Sequence, residues 1–161
     1  MSPHRRPGPG TLGSPDTPAP DHGAAYRGAP ALGPDRHDDV IVASFLDSAT
    51  DAFRGFAPSV PTSAGTAATA EAWRAVQAGE DVPDSPAVAY QVPERQGDLV
   101  VVDERFVAAA HRGGKAVHVW TVNDAASMER LVDLGVDGII SDVPTTLCSV
   151  LGARRVDWGG L

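Results

Sequence analysis

Val117-His118-Val119-Trp120-Thr121-Val122-Asn123 and, after a short helical stretch, Leu134-Gly135-Val136-Asp137-Gly138-Ile139-Ile140-Ser141-Asp142-Val143-Pro144 are the two segments whose reading decides the fold. The first is a β-branched run that ends on a helix-capping residue. Between the two, Met128, Leu131 and Val132 recur at helical spacing, so the pattern predicts strand, helix, strand. Asn123 is placed to cap the helix, Gly135 to end it, and Gly138 to Ser141 to form a buried strand.

The same alternation extends toward the N-terminus. Phe106, Val107 and Ala110 form a helical stripe after an Asp103 cap, closed by Gly113-Gly114 with Gly113 as the left-handed glycine. Before it, Leu99 to Val102 is extended and Ala87 to Val92 is a strand. Thr69 is expected to cap a helix bearing Trp73 and Val76 and stopped by Gly79; Val60 to Ala64 is a weak strand. Ser48, with Asp51 three residues on, is expected to cap a helix carrying Phe53 and Phe56 and ended by Pro58, and Val40 to Ser44 is a continuous apolar strand. Strands and helices alternate from one end of this region to the other, which implies parallel strands with right-handed crossovers. A small doubly wound sheet and part of a (β/α)8 barrel both satisfy the order. A whole barrel takes about 250 residues, twice what this region offers.

Composition sets the N-terminal limit. Of the chain's 14 Pro and 17 Gly, eight Pro and six Gly fall within residues 1–36, a density that leaves too little apolar surface to offset the entropy of ordering, so this segment reads as a disordered tail. The formal net charge is −8, and no basic stripe appears. Nucleic acid and anionic membrane surfaces are therefore poor partners. Cys148 is the single cysteine, which excludes an intrachain disulfide and a thiolate metal cluster. No apolar run approaches the roughly 18 residues a membrane helix needs, and Arg5-Arg6 has no apolar stretch behind it; a cytoplasmic chain is expected.

Taken in order, Val-Trp-Thr-Val-Asn (119–123) and Gly-Val-Asp-Gly-Ile-Ile-Ser-Asp-Val-Pro (135–144) resemble the C-terminal end of bacterial glycerophosphodiester phosphodiesterases. Val42-Ala43-Ser44-Phe45 resembles the strand that opens the second half of that barrel, and Gln91-Val92-Pro93 the piece before its penultimate unit. The resemblance implies a partial (β/α)8 (TIM) barrel: residues 1–36 a tail, 37–151 the C-terminal half with about four βα units, 152–161 a C-terminal tail. It also implies metal-dependent hydrolysis of glycerophosphodiesters to glycerol 3-phosphate and an alcohol, with a divalent cation (calcium or magnesium) on the phosphate and one histidine each as acid and base. That family keeps its His-Arg-Gly word and its carboxylate ligands in the N-terminal half, so no catalytic residue and no metal ligand is assigned to this chain, and by itself it is expected to be inactive.

Three residues are candidates for the substrate pocket. Trp120, near the end of its strand, would reach the barrel mouth, where active sites of this fold lie; a core indole with a satisfied N–H is the competing reading. Phe45 could contact the glycerol or alcohol group, and packing explains it equally well. Gln91 also falls on the mouth side. His118, deeper on the same strand face as Trp120, reads as a hydrogen-bonded interior histidine. His111-Arg112-Gly113 spells the family's catalytic word but follows a helical stripe, where a cation suits the helix C-terminus. Asp142 reads as ordering the turn into Pro144, and Asp38-Asp39 as lying on the face away from chemistry. A half barrel exposes two strand edges, so a non-enzymatic module that pairs with another half or with itself is the alternative, and a gene remnant is a third.

Overall fold

The computed structural model describes residues 40–155. The tail read at 1–36, Asp38-Asp39 and residues 156–161 lie outside the described residues. Three short parallel strands form the sheet, in the order β1 (Ala89–Pro93), β4 (Ala116–Trp120), β5 (Gly138–Ile139). Toward the N-terminus the sheet continues only as isolated parallel bridges, Ser63 to Ala89 and Val42 to Thr62. Five strand positions thus stand side by side in chain order. Helices α1 (Asp47–Phe56), α2 (Thr66–Gln77), α3 (Glu104–Arg112), α4 (Ala125–Leu134) and α5 (Pro144–Ala153) follow them one by one. This is a partial (β/α)8 barrel, and each crossover returns to a parallel neighbour as the strand–helix alternation requires.

The core lies between the sheet and the helices. Tyr90, Val92, Val117 and Val119 point outward from the strands onto Phe106, Met128 and Leu131, all essentially inaccessible to water. Burial in this layer raises the Tyr90 hydroxyl above its ordinary range, with Glu71 adding to the effect. The alternate residues of β1 and β4 face the opposite side, which in a complete barrel is the interior.

Several boundaries differ from the sequence expectation. Val40 to Ser44 and Val60 to Ala64 contribute one bridge each rather than full strands. The extended piece at 99–102 is half of a hairpin, β2 (Arg95–Gln96) with β3 (Leu99–Val100), turning at Gly97. Neither Ser48 nor Thr69 is a cap: α1 starts after Leu46 and α2 after Gly65. The amides of Ala67 and Ala68 in the first turn of α2 donate instead to the Asp47 carboxylate, at 2.9 and 3.2 Å. A Cβ on Gly65 would sit 2.6 Å from Asp47 Cγ, so only glycine lets this long-range cap close. At α4 the cap is Asp124, which accepts from Ser127 N at 2.8 Å; those hydrogen bonds hold its carboxyl below the usual range. At the end of α3, Gly113 keeps φ −79° and Gly114 takes the left-handed φ of +67°.

Candidate active site

The C-terminal ends of the strands open into a cavity of about 1030 Å³, and Trp120, Phe45 and Gln91 all line it. Trp120 ends β4, while Phe45 follows the first strand position. Their rings meet edge to face with centroids 5.8 Å apart, a geometry aromatic quadrupoles favour. Gln91 sits one pleat lower, directly opposite His118 in the parallel ladder. Its Nε2 and the His118 Nδ1 are 3.3 Å apart, which fixes the amide's direction toward the cavity. His118 in turn pairs with Gly138, where a Cβ would lie 2.8 Å from its ring. The absence of a side chain on β5 at that point makes room for the imidazole.

Other walls come from elements that local sequence words do not reveal. Trp73 reaches in from α2, its indole N–H donating to the Val100 carbonyl at 3.2 Å and so pinning the β2–β3 hairpin against the helix. Leu99 and Val101 arrive on that hairpin and its exit, and Ile140 from beyond β5. Among the described residues, Arg74 is the only charged side chain lining the cavity. The nearby amides at the start of α2 are taken by Asp47, and are not open to an incoming anion.

The remaining candidates have structural partners. His111 sits in the last turn of α3, at the opposite end of the sheet, with Nε2 2.8 Å from Asp137 Oδ2. The same carboxylate oxygen accepts from Val117 N at 2.8 Å. Burial pushes the Asp137 carboxyl up, but the Val117 amide, the His111 hydrogen bond and the charges of His111 and His118 outweigh it, and the net direction is down. Asn123, freed from capping, accepts from the Asp142 amide at 2.9 Å and from Ser141 Oγ at 3.2 Å while donating to Asp142 Oδ2. This clamp ties the loop after β4 to the loop after β5 and orders the turn into Pro144.

A cavity so built can bind, orient and exclude water. Among the described residues its lining holds no His, Cys, Asp, Glu, Lys or Tyr; His118 lies beneath the lining and His111 at the far end. Among the described residues no group of three or more His, Cys, Asp or Glu is placed to hold a metal ion. A divalent cation therefore does not fit these residues, and no chemical step is derived through one. No helix among the described residues is long and apolar enough to cross a membrane.

The pattern of the glycerophosphoryl diester phosphodiesterase family matches residues 31–146. The chain belongs to this family. It is 34% identical over 137 residues to the Mycobacterium tuberculosis protein named "Probable glycerophosphodiester phosphodiesterase 2", a match covering 77% of this chain and 48% of that protein. Over 57 residues it is 40% identical to a glycerophosphodiester phosphodiesterase of Arabidopsis thaliana, covering 35% of this chain and 17% of that one. A crystal structure from Silicibacter pomeroyi assigned to the glycerophosphoryl diester phosphodiesterases superposes with a TM-score of 0.54 at 24% identity, covering 73% of this chain and 39% of that one; this likeness bears on the fold. The chain spans about half the length or less of the family members it matches. The strand–helix units described above thus correspond to part of the phosphodiesterase barrel.

Proposed function

We propose that this chain supplies the pocket-bearing C-terminal part of a glycerophosphodiester hydrolase, acting in lipid metabolism to release glycerol 3-phosphate and an alcohol. The observation that carries the proposal is the convergence of Trp120, Phe45 and Gln91 on one cavity at the C-terminal ends of parallel strands, the end where this fold binds substrates. In this reading Trp120 and Phe45 pack on the carbon skeleton of the diester, and the Gln91 amide, held by His118, orients an oxygen. The acid, the base and the calcium or magnesium ligands belong to the rest of the barrel. The chain by itself is inactive. A cytoplasmic location is part of the same proposal.

The test is an assay of glycerophosphocholine hydrolysis with added calcium or magnesium, run on the purified chain and again after mixing with the separately produced N-terminal half of the Mycobacterium tuberculosis relative. The proposal expects turnover only in the mixture, abolished by a chelator and by Trp120→Ala. Chelator-sensitive turnover by the chain alone would overturn the assignment of the chemistry to the other half.

A second reading is favoured by one specific observation. Val42 at one end of the sheet and β5 at the other each have one unpaired side among the described residues, so the chain would serve as a self-pairing module without chemistry. A monomer at all concentrations in sedimentation would remove that reading.

A further inference from the structure

We propose that Trp73 is a positioning residue: its indole N–H latches the β2–β3 hairpin as a strap beside the cavity, and so holds Gln96 and Leu99 in the pocket wall. The inference rests on the pocket reading above and gives a part to an element which that reading leaves idle. The hairpin leaves the sheet at the C-terminal end of β1, and its base is fastened. The Glu94 carbonyl accepts from the amides of Val101 and Val102 at 3.0 and 3.2 Å, and the Glu94 carboxylate pairs with Arg130 on α4. Both attachments, at the base to α4 and through Trp73 to α2, are made within this chain.

Beyond that base the hairpin has little hold. All six residues from Arg95 to Val100 are exposed. Two register pairs, Arg95 with Val100 and Gln96 with Leu99, give it shape, aided by the Arg95 guanidinium donating to the Asp98 carbonyl at 3.0 Å and by the left-handed turn at Gly97. None of these fixes where it lies. Among the described residues one hydrogen bond joins 95–100 to another element, from Trp73 Nε1 to the Val100 carbonyl at 3.2 Å, and a two-stranded hairpin on its own is marginal in water. Residues directly opposite in an antiparallel pair share a face, so Gln96 and Leu99 enter the wall together when the latch is made. A net hydrogen bond corresponds to about fivefold in the ratio of latched to free hairpin.

The test uses the full chain and an arginine-specific protease, whose cut after Arg95 requires a free hairpin, with the cut after Arg105 in α3 as the reference. Trp73→Phe keeps a ring against the core and lacks the N–H; benzothienylalanine at Trp73, which keeps the bicyclic wall and lacks only the N–H, is the second variant should the first not fold. Cleavage after Arg95 should rise, cleavage after Arg105 should not, and in the mixing assay KM should rise with kcat unchanged. The gain in cleavage follows the free fraction and the gain in KM the latched one, so the two multiply to about fivefold. The double variant Gln96→Ala with Leu99→Ala should raise KM about fivefold and leave kcat within about twofold, as expected for side chains that bind without chemistry. If the Trp73 variant moves neither Arg95 cleavage nor KM, or if cleavage rises equally at both arginines, the latch is overturned. An unmoved KM in the double variant would overturn the strap's part in the pocket. Absence of turnover from the unaltered mixture counts against the hydrolase reading alone, because the cleavage pattern still decides the latch.

Discussion

The two faces of the sheet are made of the same strands and do opposite work. On the helix side, Val117 and Val119 are sealed under Phe106, Met128 and Leu131, and none of these five residues lines the cavity. On the inner side, Gln91, His118 and Trp120 are only partly covered, hydrogen-bonded or ring-stacked rather than packed into a continuous core. Period-two alternation separates the faces within a single residue step. Stability should therefore be concentrated on one face and recognition on the other.

The most severe way to break the contrast is Phe106→Ala. It removes a fully buried ring that also packs tilted against Tyr90 at 5.4 Å, and should cost about 3–5 kcal/mol in urea unfolding, whereas Trp120→Ala on the inner face should cost well under half as much and abolish turnover in the mixing assay. Next comes Gly138→Ala. Its new Cβ falls 2.8 Å from the His118 ring, so His118 must shift and loosen Gln91, at about 1–3 kcal/mol and with a change in the His118 imidazole chemical shift. Asp47→Ala removes the acceptor of two first-turn amides of α2 and should cost about 1 kcal/mol, measured as a lower Tm. Asp137→Asn has the smallest effect. The pair with His111 is about two-fifths exposed on each side, so its loss should stay under ~1 kcal/mol. Because the Asp137 carboxyl is depressed in the folded state, its contribution is present above the unfolded carboxylate range near ~3.9 and fades as pH falls through the lower folded value. The gap between native and variant Tm should thus be widest near neutrality and close in acid.

Much of this could be seen in the residues alone, and the limits are physical. The Val117 to Asn123 and Gly135 to Pro144 words fixed β4, α4 and the Gly135 terminator, whose φ of +79° is the left-handed cap expected, because each is a local pattern. Trp120, Phe45 and Gln91 line the cavity, a placement at strand ends that is legible from local pattern alone. Asp47 as the cap of α2 was out of reach, since the bond spans twenty residues of sequence. The same holds for Trp73, read as one face of a helix: only the packing of the hairpin turns its edge toward the cavity. Helix α5 carries no amphipathic contrast, since Pro-Thr-Thr-Leu-Cys-Ser-Val-Leu is weakly apolar all round, and local pattern does not predict it. The Asn123 and Asp124 pair shows how neighbouring capping residues divide roles that sequence cannot assign.

The sheet is stitched unevenly. Five residue pairs join β1 to β4 and two join β4 to β5, while the Ser63 and Val42 segments are held by one bridge each. Phe45 belongs to the loosely stitched side and Trp120 to the tightly stitched one, so the two rings that face each other across the cavity differ in the lifetime of their backbones. In amide exchange, the protons of Val42 and Ser63 should be lost well before those of Val117 and Val119. A ligand meeting this cavity encounters one firm wall and one that yields, and its residence time will be set by the yielding one.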